Sequence, residues 1–339
     1  MSRRRRSYVR PVEIAVPYAL VAVALVASWI TVPRFLSTGH LTSMSITAAY
    51  LGIIAIGQTL VILLGGIDLS IPYTVNFAAI LLVQLQESGY SASHDFIIVM
   101  LFGICVGLVN GLGVAVFEIS PLVMTLGMNG ILQGAALVYS KGNPLGELPE
   151  FVTTLSTGLT GGWPNVVILW MALTVVVTFI LVFMRFGRNL YSVGANRRAS
   201  ELSGLPVKRT IVAAYTVSGL CAALAGVLLA GYTGQAYLGM GDAYLLPSIA
   251  VVVIGGTSIF GGKGSYVQTV AGVLMLTVIT SALVTVGVSE AERYMLYGGI
   301  ILLMAYVNQV AVSKEGWEWK SLHRRLKVFR GWLEPIRRP

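Results

Sequence analysis

Residues 165–184 read NVVILWMALTVVVTFILVFM, twenty positions without a charge. A transmembrane β-strand would alternate apolar and polar side chains over roughly ten residues, and this run does not alternate. A helix rises 1.5 Å per residue, so about 20 apolar residues match the hydrocarbon core of a bilayer. The run therefore predicts a membrane-spanning helix. The same pattern recurs along the chain near residues 14–32, 44–64, 71–86, 96–117, 121–139, 164–184, 210–232, 245–260, 266–287 and 292–311. The segments at 71–86 and 245–260 are short for full spans, and ten is the working count. The fold class is an all-α polytopic membrane protein with about ten transmembrane helices.

Composition agrees. The chain is 56% apolar and only 11% charged, about half the charge of an ordinary soluble protein, too little to cover a globular surface. The start, MSRRRR followed by an apolar run from Ile14, has no small-residue cleavage site after Trp29, so it predicts a retained first helix rather than a signal peptide. Arg3 to Arg6 then read as a topology signal at the membrane, and no nucleic-acid partner is expected.

With the N-terminus inside and ten spans, both termini are cytoplasmic. Twenty basic residues then fall inside, and three, Arg34, Lys141 and Arg293, fall outside, as the positive-inside rule requires. The expected organisation is a basic cytoplasmic N-terminus (1–13), a transmembrane domain (14–311) with a cytoplasmic loop at 185–209, and a basic tail (312–339). The tail interleaves Trp317, Trp319, Phe329 and Trp332 with basic residues, which suits a helix lying in the interface. The longest external connection, Ser140 to Trp163, is rich in Gly, Pro and Thr and suits contact with a partner or a pore mouth.

Catalytic chemistry is not expected. His40, His94 and His323 fall in loops or the tail, no two close in sequence, so neither a metal site nor an intramembrane acid–base pair is indicated. Cys105 and Cys221 sit in apolar runs and read as packing residues. The run from Gly256 to Ser265 resembles a phosphate-binding loop but fails its register: the pattern ending at Lys263 needs Gly at 257 and Ser or Thr at 264, where Thr257 and Gly264 stand. No cofactor is expected in this chain.

Glycines instead mark turns. Gly65 and Gly66, with Asp68 behind them, end one apolar run; Gly255 and Gly256, then Gly261 and Gly262, end another 190 residues later. The two decapeptides, 61–70 and 251–260, are similar enough to suggest an internal repeat. Ser70 followed by Pro72 reads as a helix start, with Ser as N-cap. Asp68 is open to two readings: an acceptor for backbone N–H groups that holds the turn, or an ion or proton site. The turn is better supported, since no second acid or histidine stands at helical spacing. Gln58, Asn76, Asn110, Thr125, Asn129 and Gln133 are neutral polar residues inside spans, suited either to stitching helices together or to lining a path for a hydroxyl-rich solute.

The loop from Arg185 to Arg209 holds seven charges in 25 residues, as many as the preceding 150. Within it Asn196 can cap a short helix through Arg197, Arg198, Ala199, Ser200, Glu201, Leu202 and Ser203, stopped by Gly204 with Pro206 beyond. Two turns are not stable alone in water, so the helix reads as a docking element for another protein.

GGIDLS at 65–70, PLVMTLG at 121–127, FGRNLYSVGANRRASELSGLPVKR at 186–209 and AVVVIGGTSIFGGKGS at 250–265 together resemble the permease subunits of bacterial sugar-uptake ABC transporters, the ribose, xylose and galactose group. The resemblance spans roughly residues 52–308. It implies a permease in the inner membrane that pairs with a second permease, two cytoplasmic ATP-binding subunits carrying ATP and Mg, and a periplasmic substrate-binding protein. It also implies that Gly194 to Gly204 is the coupling helix seated in a groove of the ATPase. The chain departs from the family pattern at Tyr244-Leu245-Leu246-Pro247, where an acidic residue is usual, and around Thr280-Ser281-Ala282, where Asn-Gly is usual. A proton-coupled secondary transporter is the alternative that Asp68 and the repeat leave open.

Overall fold

The computed structural model describes residues 11–87, 89, 91–142 and 147–306. The basic residues 1–10, His323 and the tail from 312 lie outside the described residues. The chain folds as α1 (Pro11–Thr31), α2 (Thr38–Leu63), α3 (Ile71–Glu87), α4 (Ala92–Ala115), α5 (Pro121–Ser140), α6 (Glu150–Thr157), α7 (Asn165–Phe183), α8 (Arg185–Ala195), α9 (Arg197–Leu202), α10 (Val207–Thr233), α11 (Leu245–Ile254) and α12 (Tyr266–Thr285). Residues 290–306 are also helical. A two-residue ladder, Leu159–Thr160 with Trp163–Pro164, closes the turn before α7.

Seven of these helices, α1, α2, α4, α5, α7, α10 and α12, are long and apolar enough to cross a membrane. Ten were expected, and the difference has a local cause. The chain leaves helical form at 64–70, so α3 is only 17 residues long. It does so again at 234–241, so α11 has ten residues. The apolar segment expected at 245–260 stops at Ile254 because Gly256, at φ +97°, turns the chain out of the helix.

The described part of the Ser140–Trp163 connection, from residue 147 on, is built rather than open. Its helix α6 lies against α10, where Gly231 leaves room for Val152 and Ser156, and the Tyr50 hydroxyl donates to the Ser156 carbonyl at 3.3 Å. His40 and His94, expected in loops, stand in the first turns of α2 and α4. Cys221 is buried but Cys105 faces outward, so only one of the two thiols packs in the interior.

Burial separates the centre from the rim. The spanning window of α2 is 89% buried and that of α10 67%, against 17% for α1 and α5. Unlike the surface of a soluble domain, the rim is apolar: Val175, Phe179, Val182 and Phe183 of α7 are all exposed, as expected of side chains that meet lipid. One end of the bundle gathers the starts of α1 and α12, joined by Tyr18 Oη donating to the Val267 carbonyl at 3.0 Å, and the ends of α2 and α8. The other end gathers the starts of α2 and of the 290–306 helix with the end of α12. Segments that the charge count assigns to one side of the membrane therefore share one end of the fold.

Helix α4 crosses α10 closely, and glycine makes it possible. Gly103, Gly107 and Gly111 recur every fourth residue and so fall on one face of α4. A Cβ on Gly107 would strike the Tyr215 carbonyl, and one on Gly111 would press on Val212 Cα at 2.7 Å. Gly219 of α10 answers from the other side, against the Gly103 carbonyl. Small residues of this kind let helices associate where no hydrophobic force drives them together.

Replacing Gly107 with Leu should therefore force α4 from α10, with a loss of about 1–3 kcal/mol or more from overpacking. Gly127→Ala on α5, where nothing lies within 4 Å of the added carbon, should leave stability nearly unchanged. Thermal loss of the monodisperse purified protein measures both.

Candidate functional site

The charged segment contains two helices, not one. The eleven-residue α8 precedes the expected short helix and is strongly two-faced: Leu190, Tyr191 and Val193 are buried while Arg185 and Arg188 are exposed. Its signal was present in the spacing Phe186, Leu190, Val193, an i, i+4, i+7 pattern hidden beneath the charge count. α9 then runs from Arg197 to Leu202, with Asn196 Oδ1 accepting from Ala199 N–H at 2.9 Å as N-cap. Ser203 ends it and Gly204, at φ +73°, turns the chain away.

The outer face of α9 is unusual for a short polar helix. Leu202 is 77% exposed, beside exposed Ala199 and Arg198. Glu201 is held by Arg197 at 3.2 Å and Arg198 at 3.6 Å, and Arg197 also reaches Glu118 of the α4–α5 turn at 3.8 Å. Exposed pairs of this kind add little stability, but they fix how the face is presented. Phe117 and Phe260, both exposed, and Lys263 stand at the same end of the bundle.

α8 is fastened to both glycine turns. Gly194 fits against the Leu63 carbonyl so closely that any side chain there would collide with it, and it also abuts Gly262 N. Gly262 N–H donates to the same Leu63 carbonyl at 2.9 Å, and Tyr191 Oη donates to the Gly264 carbonyl at 2.9 Å. Gly65 sits beside the Phe260 carbonyl and Gly261 beside Gly65 N. The two turns singled out by their similar sequences are thus neighbours, and α8 clasps them together. Gly65, Gly256, Gly261 and Gly262 have positive φ. Gly255 and Gly66 do not; they admit close neighbours, the Gln268 carbonyl and the Tyr215 hydroxyl.

Behind the first turn, residues 66–70 run back into the bundle without helical hydrogen bonds, and side chains satisfy them. Asp68, 1% exposed, accepts through Oδ1 from Ser70 N–H at 3.0 Å and Ser70 Oγ at 2.6 Å, and through Oδ2 from Ser218 Oγ of α10 at 2.7 Å. Asn110 Nδ2 donates to Ser70 Oγ at 2.9 Å. Ser70 was expected to cap α3; its hydroxyl serves Asp68 instead. Thr125 Oγ1 accepts from Leu69 N–H at 2.9 Å, and Asn129 Oδ1 accepts from Tyr73 N–H at 3.4 Å at the start of α3. Gln133 Nε2 donates to Tyr73 Oη at 2.9 Å. The segment after α10 is held the same way: with its amide turned to match its neighbours, Asn76 donates to the Tyr237 carbonyl at 2.8 Å and accepts from Gly239 N–H at 3.0 Å. Gln58 is wholly buried in α2 with neither end of its amide bonded among the described residues.

These polar residues do not border the pocket at the far end of the bundle. A pocket of about 360 Å³ lies instead at the opposite end of the bundle from α9, between α2, the start of α11, the second half of α12 and residues 290–297. Its walls carry His40, Ser43, Thr47, Thr277, Thr280 and Ser281, with Tyr294 and Tyr297 facing them. Both departures from the family pattern, at Tyr244–Pro247 and at Thr280–Ser281, border it. The hydroxyl stripes on α2 and α12 recur at three- and four-residue spacing, a signal the sequence offered, but serine and threonine are common in such helices and nothing in one helix shows that it faces the other. Among the described residues no cluster of three or more His, Cys, Asp or Glu is placed to hold a metal ion.

Comparison with known proteins adds the family. Residues 40–305 match the family model described as branched-chain amino acid transport system / permease component. A probable ABC transporter permease protein, y4mJ, of Sinorhizobium fredii is 33% identical over 90% of this chain and 91% of its own length. The autoinducer 2 import system permease protein LsrD of Escherichia coli K12 is 31% identical over 88% of this chain and 92% of its own. No solved structure matches the chain.

The hydrogen bond between Asp68 and Ser218 joins residues 150 positions apart, and its loss is measurable. Ser218→Ala should destabilise the protein by about 1–3 kcal/mol, the cost of leaving a buried acceptor without its donor. In a double-mutant cycle with Asp68→Asn, followed by thermal denaturation, the two losses should fall well short of adding.

Proposed function

This chain belongs to the branched-chain amino acid transport system / permease component family, and from that premise we propose that it is the membrane subunit of an ATP-driven importer of a sugar, polyol or similar small polar solute. It is a multi-pass protein of the bacterial inner membrane, and its relatives are permease proteins of ABC transporters. Solute crosses by alternating access, and ATP is hydrolysed with Mg in separate cytoplasmic subunits. A second permease and a periplasmic binding protein complete the assembly. Both termini and the 185–209 segment are cytoplasmic, and α3, α11 and residues 290–306 bring the membrane helices to ten.

The observation that carries this reading is the clasp of α8 on both glycine turns. α9 offers an exposed Leu202 between charged neighbours, a surface suited to a groove in another protein. A push on α9 acts on α8, and through Gly194 and Tyr191 it reaches the ends of α2 and the loop before α12 together. Binding of α9 by ATPases that differ in shape between nucleotide states supplies the differential affinity a conformational change requires. Asn196, Arg197, Arg198, Ala199, Glu201, Leu202, Ser203 and Gly204 form the coupling surface. Asn76, Asn110, Thr125 and Asn129 serve the helix breaks beside the path, while Gln58, buried in α2 with its amide unbonded among the described residues, is left as a candidate for the path itself. Asp68 supports a structural rather than a proton-carrying role, because both of its oxygens are engaged by hydroxyl and amide donors.

Exchanging Glu201 and Leu202 together for Arg should abolish substrate-stimulated ATP hydrolysis by the assembled transporter while the protein still reaches the membrane in normal amount. The paired measurement is ATPase activity with and without loaded binding protein. Unchanged stimulation would count against the coupling role, and proton-driven uptake by the purified chain alone, lost in Asp68→Asn, would replace this reading with a secondary transporter.

A further inference from the structure

The pocket of about 360 Å³ is at the small end of the roughly 300–1,000 Å³ range of small-molecule sites. Four chain segments build it, each presenting one helical face, and the faces carry hydroxyls and aromatic rings. Two of its polar groups lack partners. Thr277 is only 6% exposed, and its Oγ1 has no hydrogen-bond partner among the described residues. Arg293 Nε is buried and likewise without a partner. Buried polar atoms are nearly always satisfied; both residues line the pocket, and a small turn of either side chain would bring its unpaired atom to an oxygen of a bound molecule. Neighbouring groups are already paired: Ser281 Oγ with His40 Nε2 at 2.9 Å, and Thr280 Oγ1 with Tyr297 Oη at 2.9 Å. Those pairs hold Tyr297 and His40 in place as walls.

The lining also indicates the class of ligand. Tyr294 and Tyr297 meet edge to face with centroids 6.0 Å apart, offering apolar ring surface to the C–H face of a small ring. Hydroxyls both donate and accept, so they pair with a polyhydroxylated molecule in several orientations without trapping it. Glu290 and Arg293 bring one charge of each sign to the rim, an arrangement that favours a neutral solute over an ion of either sign.

We propose that this pocket is a binding site for a small neutral polyhydroxylated solute, with Thr277 and Arg293 bonding its hydroxyls and Tyr294 and Tyr297 covering its ring. The proposal rests on the import reading for its solute class and deepens it by assigning a site. Under the cytoplasmic placement of α9 the pocket opens toward the periplasmic side, where a solute released by a binding protein would enter.

Thiol protection in the full-length chain in membranes tests it. Ser43→Cys in a Cys105→Ser background puts a reporter on the pocket wall; D-ribose, D-xylose and D-galactose are the probes, with citrate as the anionic control. At least one sugar should slow maleimide labelling threefold or more, without changing labelling of Leu202→Cys at the other end. Thr277→Val should remove that protection and Thr277→Ser should keep it. If no sugar protects, if citrate alone protects, or if Thr277→Val protects as well as its parent, the site assignment is overturned. Uptake by the complete transporter separates the two ideas. Sugar uptake that Thr277→Val leaves unchanged would sink the pocket and spare the import reading, whereas protection without any sugar uptake by the unaltered transporter would do the reverse.

Discussion

Backbone that leaves helical form inside an apolar bundle must find its hydrogen bonds in neighbouring side chains, because hydrocarbon offers none. This chain breaks helix inside the bundle at 64–70 and again after α10, and much of its architecture follows from meeting that requirement. Asp68, Thr125 and Asn129 satisfy the first break and Asn76 the second. The donors and acceptors come from α5, α10 and α3, so each break is held only when several helices are assembled. The amides and hydroxyls beside the breaks are therefore first of all partners for irregular backbone.

The same economy of space governs the glycines. At the α4–α10 crossing their lack of a side chain lets two helices meet backbone to backbone, and at Gly194 it lets α8 touch the end of α2. The first contact builds the bundle's centre, while the second ties that centre to the charged segment outside it. A rigid link between α9 and two interior helix breaks can pass a displacement inward, whereas a solvated loop would absorb it. The hydroxyl-lined pocket lies at the far end of the bundle from α9, so the proposed solute site and the proposed point of attachment are separate.

Much of the architecture was legible in the chain. The apolar runs located every helix that is long enough to span a membrane, and the cap at Asn196 and the stop at Gly204 located α9 to within a residue. The run at 245–260 gave a helix of only ten residues, because hydropathy does not register where a glycine turns the backbone, as at Gly256. α8 was missed because its apolar spacing lies within a segment dominated by charge. Ser70 was assigned to the cap of α3 from local order alone, and its hydroxyl is drawn instead to a carboxylate two residues back and an amide on α4.

What the sequence determined by itself is what depends on neighbours within a few positions: helical class, most helix ends, the capped helix α9 of the charged segment, and the failure of the phosphate-loop register. Each of these rests on periodicity, capping or spacing, which act over one or two turns. The tertiary structure alone decided that Asp68 meets Ser218 across 150 residues, that α8 clasps both glycine turns, and that hydroxyls from α2 and α12 face one another across a pocket. Those meetings depend on how helices rotate and cross, and that is set by the summed packing of the whole bundle rather than by any stretch of it.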